Sequence, residues 1–159
     1  MLPNHDMMTG FIRNEFFNHL TALKADTPAH WGKMNAQQMV EHLIDFVGLS
    51  FEKNKFPLCV PEDMIEKYQA FLFSEKMFRE NTKAPVEVMP EDPAPTRHSG
   101  ISEAIDELKS AVDHFFHYFN EHPGRKTLHP AFGWLDFSGW VVLHYKHLHH
   151  HLRQFGCIE

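Results

Sequence analysis

Between residues 101 and 119 the apolar side chains fall at Ile101, Ile105, Leu108, Val112, Phe115 and Phe119. Steps of three and four residues bring side chains onto one face only in an α-helix. The rhythm predicts a helix over about 101–121, closed by Pro123 and Gly124 in EHPGRK. Three other stretches carry it. Phe11/Ile12, Phe16, Leu20 and Leu23 predict a helix over about 8–24, with Thr9 as the cap. Met39, Leu43, Phe46, Val47 and Phe51 predict one that ends near 54. Asn35 opens it, and Gln38 three residues later completes a capping box. The last runs over about 137–154 and stops at Gly156. PEDMIEKYQAFLF reads as a further short helix with Pro61 in its first turn.

Between these elements the chain is punctuated. ADTPAHWGK and HPAFGWLDF are Pro/Gly connections. Residues 55–99 are the least regular part, and KAPVEVMPEDPAP carries four prolines. A connection this long is expected to cover or border a site. Nothing in its composition sets it apart as a second domain, so residues 1–159 are expected to form one domain. No strand alternation is sustained. The expected class is all-α: a four-helix bundle with an additional short helix and a long Pro-rich connection between helices 2 and 3.

Charge and composition narrow the function classes. The net charge of −6, without a basic block, argues against nucleic-acid binding. No run approaches 18 apolar residues, and the first residues lack the layout of a secretory signal. Together with only two distant cysteines, Cys59 and Cys157, this fits a reducing cytoplasm.

The outlier is histidine, with 14 copies. In SGWVVLHYKHLHHHLRQFG one helical stripe holds Trp140, Leu143, His147, His151 and Gln154. Imidazoles four residues apart stand one turn apart on the same face, close enough to share an ion. By itself the spacing is weak, because roughly one such pair is expected by chance in a chain this rich in histidine. The second helix offers His42, between polar Gln38 and apolar Phe46, at what reads as a cavity wall. A core histidine bonded to a backbone carbonyl would fit that pattern too. His144, one turn before His147, is either a catalytic general base, a hydrogen-bond partner of a ligand ring, or a partly exposed helix residue. His150 is expected to face a neighbouring element or solvent, and His114 and His117 to lie on the surface. His129 precedes a proline and is expected to shape a turn. Glu41 and Asp45 are expected to be solvated or paired with Lys or Arg.

HWGKMNAQQMVEHLIDF, followed much later by HYKHLHHHLRQF, resembles the DinB-like superfamily of bacterial metalloenzymes. That pattern places one histidine in the second helix after a tryptophan and a polar cap. It places two more in the last helix, four apart, with a glutamine three residues beyond. Trp31, Asn35 and His42 match the first part; His147, His151 and Gln154 match the second. The resemblance implies a divalent metal ion, zinc or nickel foremost, held by His42, His147 and His151. It implies either a metal-dependent hydrolase or a thiol-dependent transferase acting on a small molecule with a low-molecular-weight thiol. A homodimer is compatible with it. The competing reading is non-catalytic: a metal that cross-links helices in an interaction module, or a histidine network without metal. A metalloprotease would need HExxH, and helical di-iron proteins need two Glu-x-x-His motifs; the sequence has neither pattern in its core helices.

Overall fold

The structure is a computed structural model and describes residues 2–83 and 89–159. Part of the Pro-rich stretch, residues 84–88, lies outside the described residues. The first helical run is continuous but not uniform. Helix α1 (His5–Gly10) passes into a π-helical turn (Phe11–Glu15), then into α2 (Phe16–His19) and a 3-10 turn (Leu20–Ala22). Its cap is Asn4, whose side chain accepts from the Met7 amide at 2.9 Å. Thr9, expected as the cap, lies inside the helix and donates to the Asp6 carbonyl. Across the π turn Phe11, Ile12 and Phe16 are all buried.

Helix α3 (Ala36–Ser50) begins where the capping box places it. Asn35 accepts from the Gln38 amide, and the Gln38 side chain accepts from the Asn35 amide. After a 3-10 turn (Glu62–Met64) behind Pro61 comes the short α4 (Ile65–Leu72). The long α5 (Ile101–Glu121) has the bounds its periodicity predicts. Helix α6 (Phe137–Gln154) is capped by Asp136, which accepts from the Gly139 amide, and is followed by Gly156 at φ +67°.

The expectation of an all-α four-helix bundle is corrected by a two-stranded antiparallel sheet between α5 and α6. Strand β1 (Thr127–His129) pairs with β2 (Gly133–Leu135), with Leu128 opposite Trp134. Among the described residues the fold is mixed, mainly helical with one hairpin. Three-residue strands are too short for alternation to register in the sequence, and Pro130 and Gly133 read there only as turn signals. Gly133 sits at φ +76°, where a side chain would be strained, and a Cβ there would lie 3.1 Å from Ile65. The hairpin is tied to its surroundings by Thr127, which donates to the Ser50 carbonyl, and by the Cys59 amide, which donates to the Pro130 carbonyl.

The core lies where α3, α5 and α6 meet. Met39 and Leu43 of α3, Leu108 and Phe115 of α5, and Trp140 and Leu148 of α6 are essentially without exposed surface. Helix α3 packs against both α5 and α6, while α1 and α2 pack against α6. The packing of α3 on α6 sets His42 opposite the histidine-rich face of α6. None of the helices among the described residues is long and apolar enough to cross a membrane.

Candidate metal centre

Helices α3 and α6 bring the three histidines of the sequence pattern together. His42 Nε2 and His151 Nε2 each lie 3.0 Å from His147 Nε2. These three form a group whose ligand atoms all lie within 4.8 Å of one another, and they could hold a metal ion. Two nitrogens bound to one zinc-like ion are about 3.0–3.4 Å apart, for bond lengths near 2.1 Å and angles from a right angle to the tetrahedral one.

The proton positions test the fit independently. Gln154 donates from Nε2 to the Trp31 carbonyl at 3.0 Å, and a carbonyl can only accept. Its Oε1 is therefore the atom 2.7 Å from His151 Nδ1, so Nδ1 carries the hydrogen and His151 Nε2 presents a lone pair. Burial and the neighbouring rings push the His147 and His151 pKa values well below the ordinary range. Burial, then the nearby His150, pushes His42 down to about 3. At neutral pH all three rings are thus uncharged. Two 3.0 Å contacts onto His147 Nε2 cannot both be hydrogen bonds for neutral rings with His151 in this tautomer. Either the His147 hydrogen serves one contact only, or its lone pair faces that of His151. Even with His151 as an imidazolium, which burial opposes, two donors would have to share the single lone pair of His147 Nε2. A cation at the centre would turn the lone pairs into ligands, so the donor set fits a divalent metal.

The arrangement of Gln154 depends on a glycine. Gly32 sits at φ +81°, and a Cβ there would lie 2.8 Å from Gln154 Nε2. The His30 amide donates to the Gln154 carbonyl at 2.7 Å, so the HWG segment lies along the end of α6. This explains why the HWGK stretch and the glutamine belong to one pattern although Trp31 and Gln154 are 123 positions apart in the chain.

The centre opens onto a cleft of about 1210 Å³ with a mostly apolar wall. Phe46 packs against both His42 and His147, with ring centroids 4.5 and 5.3 Å away. Phe78, from the irregular stretch after α4, faces His147 and His150. From residues 55–99, Phe78, Met89 and Pro90 line the cleft, so the stretch borders this cavity.

Other predicted residues fall differently. His144 is buried rather than partly exposed; it stacks on Trp140 and meets the edge of Phe115. No hydrogen bond among the described residues joins it to His42, His147 or His151. His150 is buried against Trp31 and Phe78. His114 and His117 are exposed. His129 shapes its turn by accepting from the Ala131 and Phe132 amides at Nδ1. Asp45 pairs with Arg97, but Glu41 is buried: it accepts from the Arg97 amide and lies beside His98.

Sequence reasoning missed Lys146. It is fully buried, and its ammonium donates to the carbonyls of Phe71, Ser74 and Lys76 at 3.0, 2.9 and 2.6 Å. It ties the end of α4, and the stretch leading to Phe78, onto α6. A lysine among histidines on an amphipathic helix reads as a solvated residue, so no local signal marked it.

A family described as "Protein of unknown function (DUF1569)" matches residues 12–156. No curated protein and no solved structure matches the chain.

Proposed function

We propose, for a chain that belongs to this family of unknown function (DUF1569), that it is a metal-dependent enzyme acting on a small molecule in the cleft. His42, His147 and His151 hold one divalent ion, zinc or nickel in the first place. The observation that carries the reading is the placement of protons at His147 Nε2, where neutral rings are left with one unfavourable contact that a cation removes. The same three positions fulfil the DinB-like pattern, which favours treating residues 1–159 as one domain of that superfamily.

When bound, the ion supplies a Lewis-acid centre suited to hydrolysis or to thiol activation in group transfer. The chain's own groups do the rest. Gln154, held by the Trp31 carbonyl, keeps the His151 lone pair pointed at the centre. Phe46 and Phe78 flank the histidines and give that side of the cleft an apolar wall. His144, one turn before His147 on the same helix, is the candidate general base. Its Nε2 is unpartnered and the ring is neutral, but burial pushes its pKa down to about 3, so it acts as a base where charge on a bound reactant stabilises the imidazolium.

The test is metal loading. Protein stripped with a chelator and reloaded with zinc, nickel or cobalt should take up one ion per chain and melt at a higher temperature. The cobalt form, titrated with dithiothreitol, should develop a sulfur-to-metal charge-transfer band if a coordination position is open. Absence of stoichiometric metal would end the reading. A loaded site indifferent to added ligands would instead make the ion a cross-link between α3 and α6.

A further inference from the structure

The cleft has a second polar end that the metal centre does not use. Trp140, His144 and His129 all line it. Trp140 stacks on His144 at 5.5 Å and lies 5.6 Å from His129. Their other ring neighbours include Phe115 and Phe132, which offer no charge and no polar atom.

In this apolar surrounding, polar atoms stand without partners. Trp140 is 1% exposed, and its Nε1 has no hydrogen-bond partner; nor has His144 Nε2, in a residue 3% exposed. Trp140 Nε1 can only donate. His129 adds a donor of known orientation. Its Nδ1 accepts from two backbone amides, so the hydrogen of the neutral ring is on Nε2. No described residue accepts that hydrogen in any hydrogen bond of the structure. A buried donor left unpaired is costly, and Trp140 Nε1 is such a donor.

We propose that this end of the cleft is a binding subsite for an uncharged carbonyl oxygen, taken by Trp140 Nε1–H and His129 Nε2–H with His144 beside them. The substrate class is then an apolar molecule bearing a ketone, ester or amide. An uncharged acceptor fits because burial keeps His129 and His144 neutral and no cation among the described residues acts on either ring. Along α6 the rise of about 1.5 Å per residue sets Trp140 about 10 Å and His144 about 5 Å from His147. The carbonyl therefore lies a few bonds from the group presented at the three histidines. As a substrate site, this end depends on the catalytic reading above; as a binding site, it does not.

The test compares benzylacetone with isopentylbenzene, which has the same shape but no oxygen, on metal-loaded and chelator-treated protein. The ketone is expected to bind about tenfold more tightly, the order of one buried hydrogen bond. It should also move the Trp140 indole N–H resonance downfield, whereas the hydrocarbon leaves it in place. Trp140→Phe identifies that resonance by its loss and should reduce the preference to what the His129 donor alone supplies. Equal affinities, or an indole resonance indifferent to the ketone, would overturn the subsite even if the Phe variant does not fold. Metal content measured on the same samples separates the two proposals. Lost metal uptake with the ketone preference intact removes the catalytic reading alone, and the reverse removes the subsite alone.

Discussion

His151 donates from Nδ1 to Gln154 Oε1 at 2.7 Å, and this single hydrogen bond decides which nitrogen of His151 faces the centre. A glutamine that orients a ligand ring in this way commonly changes metal affinity about 10- to 100-fold when removed. Gln154→Leu is expected to bind zinc about 10- to 100-fold more weakly with the fold retained, as isothermal titration would measure. Gly32→Ala should act on the same bond from the other side. Its Cβ would press on Gln154 Nε2 while the backbone is forced at φ +81°. It should lower metal affinity in the same direction and cost about 1–3 kcal/mol of stability. Unchanged affinity in both variants would mean that the tautomer is not set by Gln154.

Three consecutive histidines on α6 make a sharper comparison. His151 belongs to the convergent set, whereas His149 is stacked on Phe11 with ring centroids 4.4 Å apart. His147→Ala or His151→Ala should abolish stoichiometric metal binding. His149→Ala should leave it intact and lower only stability. Elemental analysis of the three purified variants decides the matter: equal losses would place the centre elsewhere on the helix.

Lys146 predicts an effect of a different kind. Replacing it with Met keeps much of the side-chain volume but leaves the carbonyls of Phe71, Ser74 and Lys76 without their shared donor. A buried group without its partner costs about 1–3 kcal/mol, so Lys146→Met should destabilise the protein by at least about 3 kcal/mol in urea unfolding. Because Phe78 comes soon after this tether, hydrogen exchange should rise over residues 71–78 in particular. A variant as stable as the parent, with unaltered exchange there, would make the three bonds incidental.

The helices that carry the centre were legible because their signals are local. The Asn35/Gln38 capping box fixes the start of α3, and the periodicity of α5 gives its bounds. The ligand set was legible only jointly, through His42, His147, His151 and Gln154 in a resembled pattern, since an HxxxH spacing alone has little force in so histidine-rich a chain. What could not be read depends on distant partners. The burial of Lys146 is made possible by carbonyls some 70 residues away, and that of Glu41 by the Arg97 amide. The hairpin escaped for the opposite reason. Thr127–His129 and Gly133–Leu135 are held by pairing and by their seat on α3, and three residues carry no period.

Acid should expose the buried histidines outside the centre. Burial pushes His144 down from 6.5 to about 3; burial, then the neighbouring His144, does the same to His129. Below about pH 6.5 the unfolded chain takes up protons on these rings that the native state refuses. Their contribution is therefore complete above about pH 6.5 and is lost progressively as the pH falls towards about 3. Each ring adds a slope of about 1.4 kcal/mol per pH unit within that window. Urea unfolding with chelator present, at pH 7.5, 6.5, 5.5 and 5.0, about one unit or less apart, should show little change over the first step and a steep fall after it. His144→Gln removes one titrating ring and should flatten the fall by about 1.4 kcal/mol per unit, whatever its stability at neutral pH. A slope identical to that of the parent would mean that His144 titrates in the native protein as it does in the unfolded chain, so that burial does not hold the ring neutral in acid.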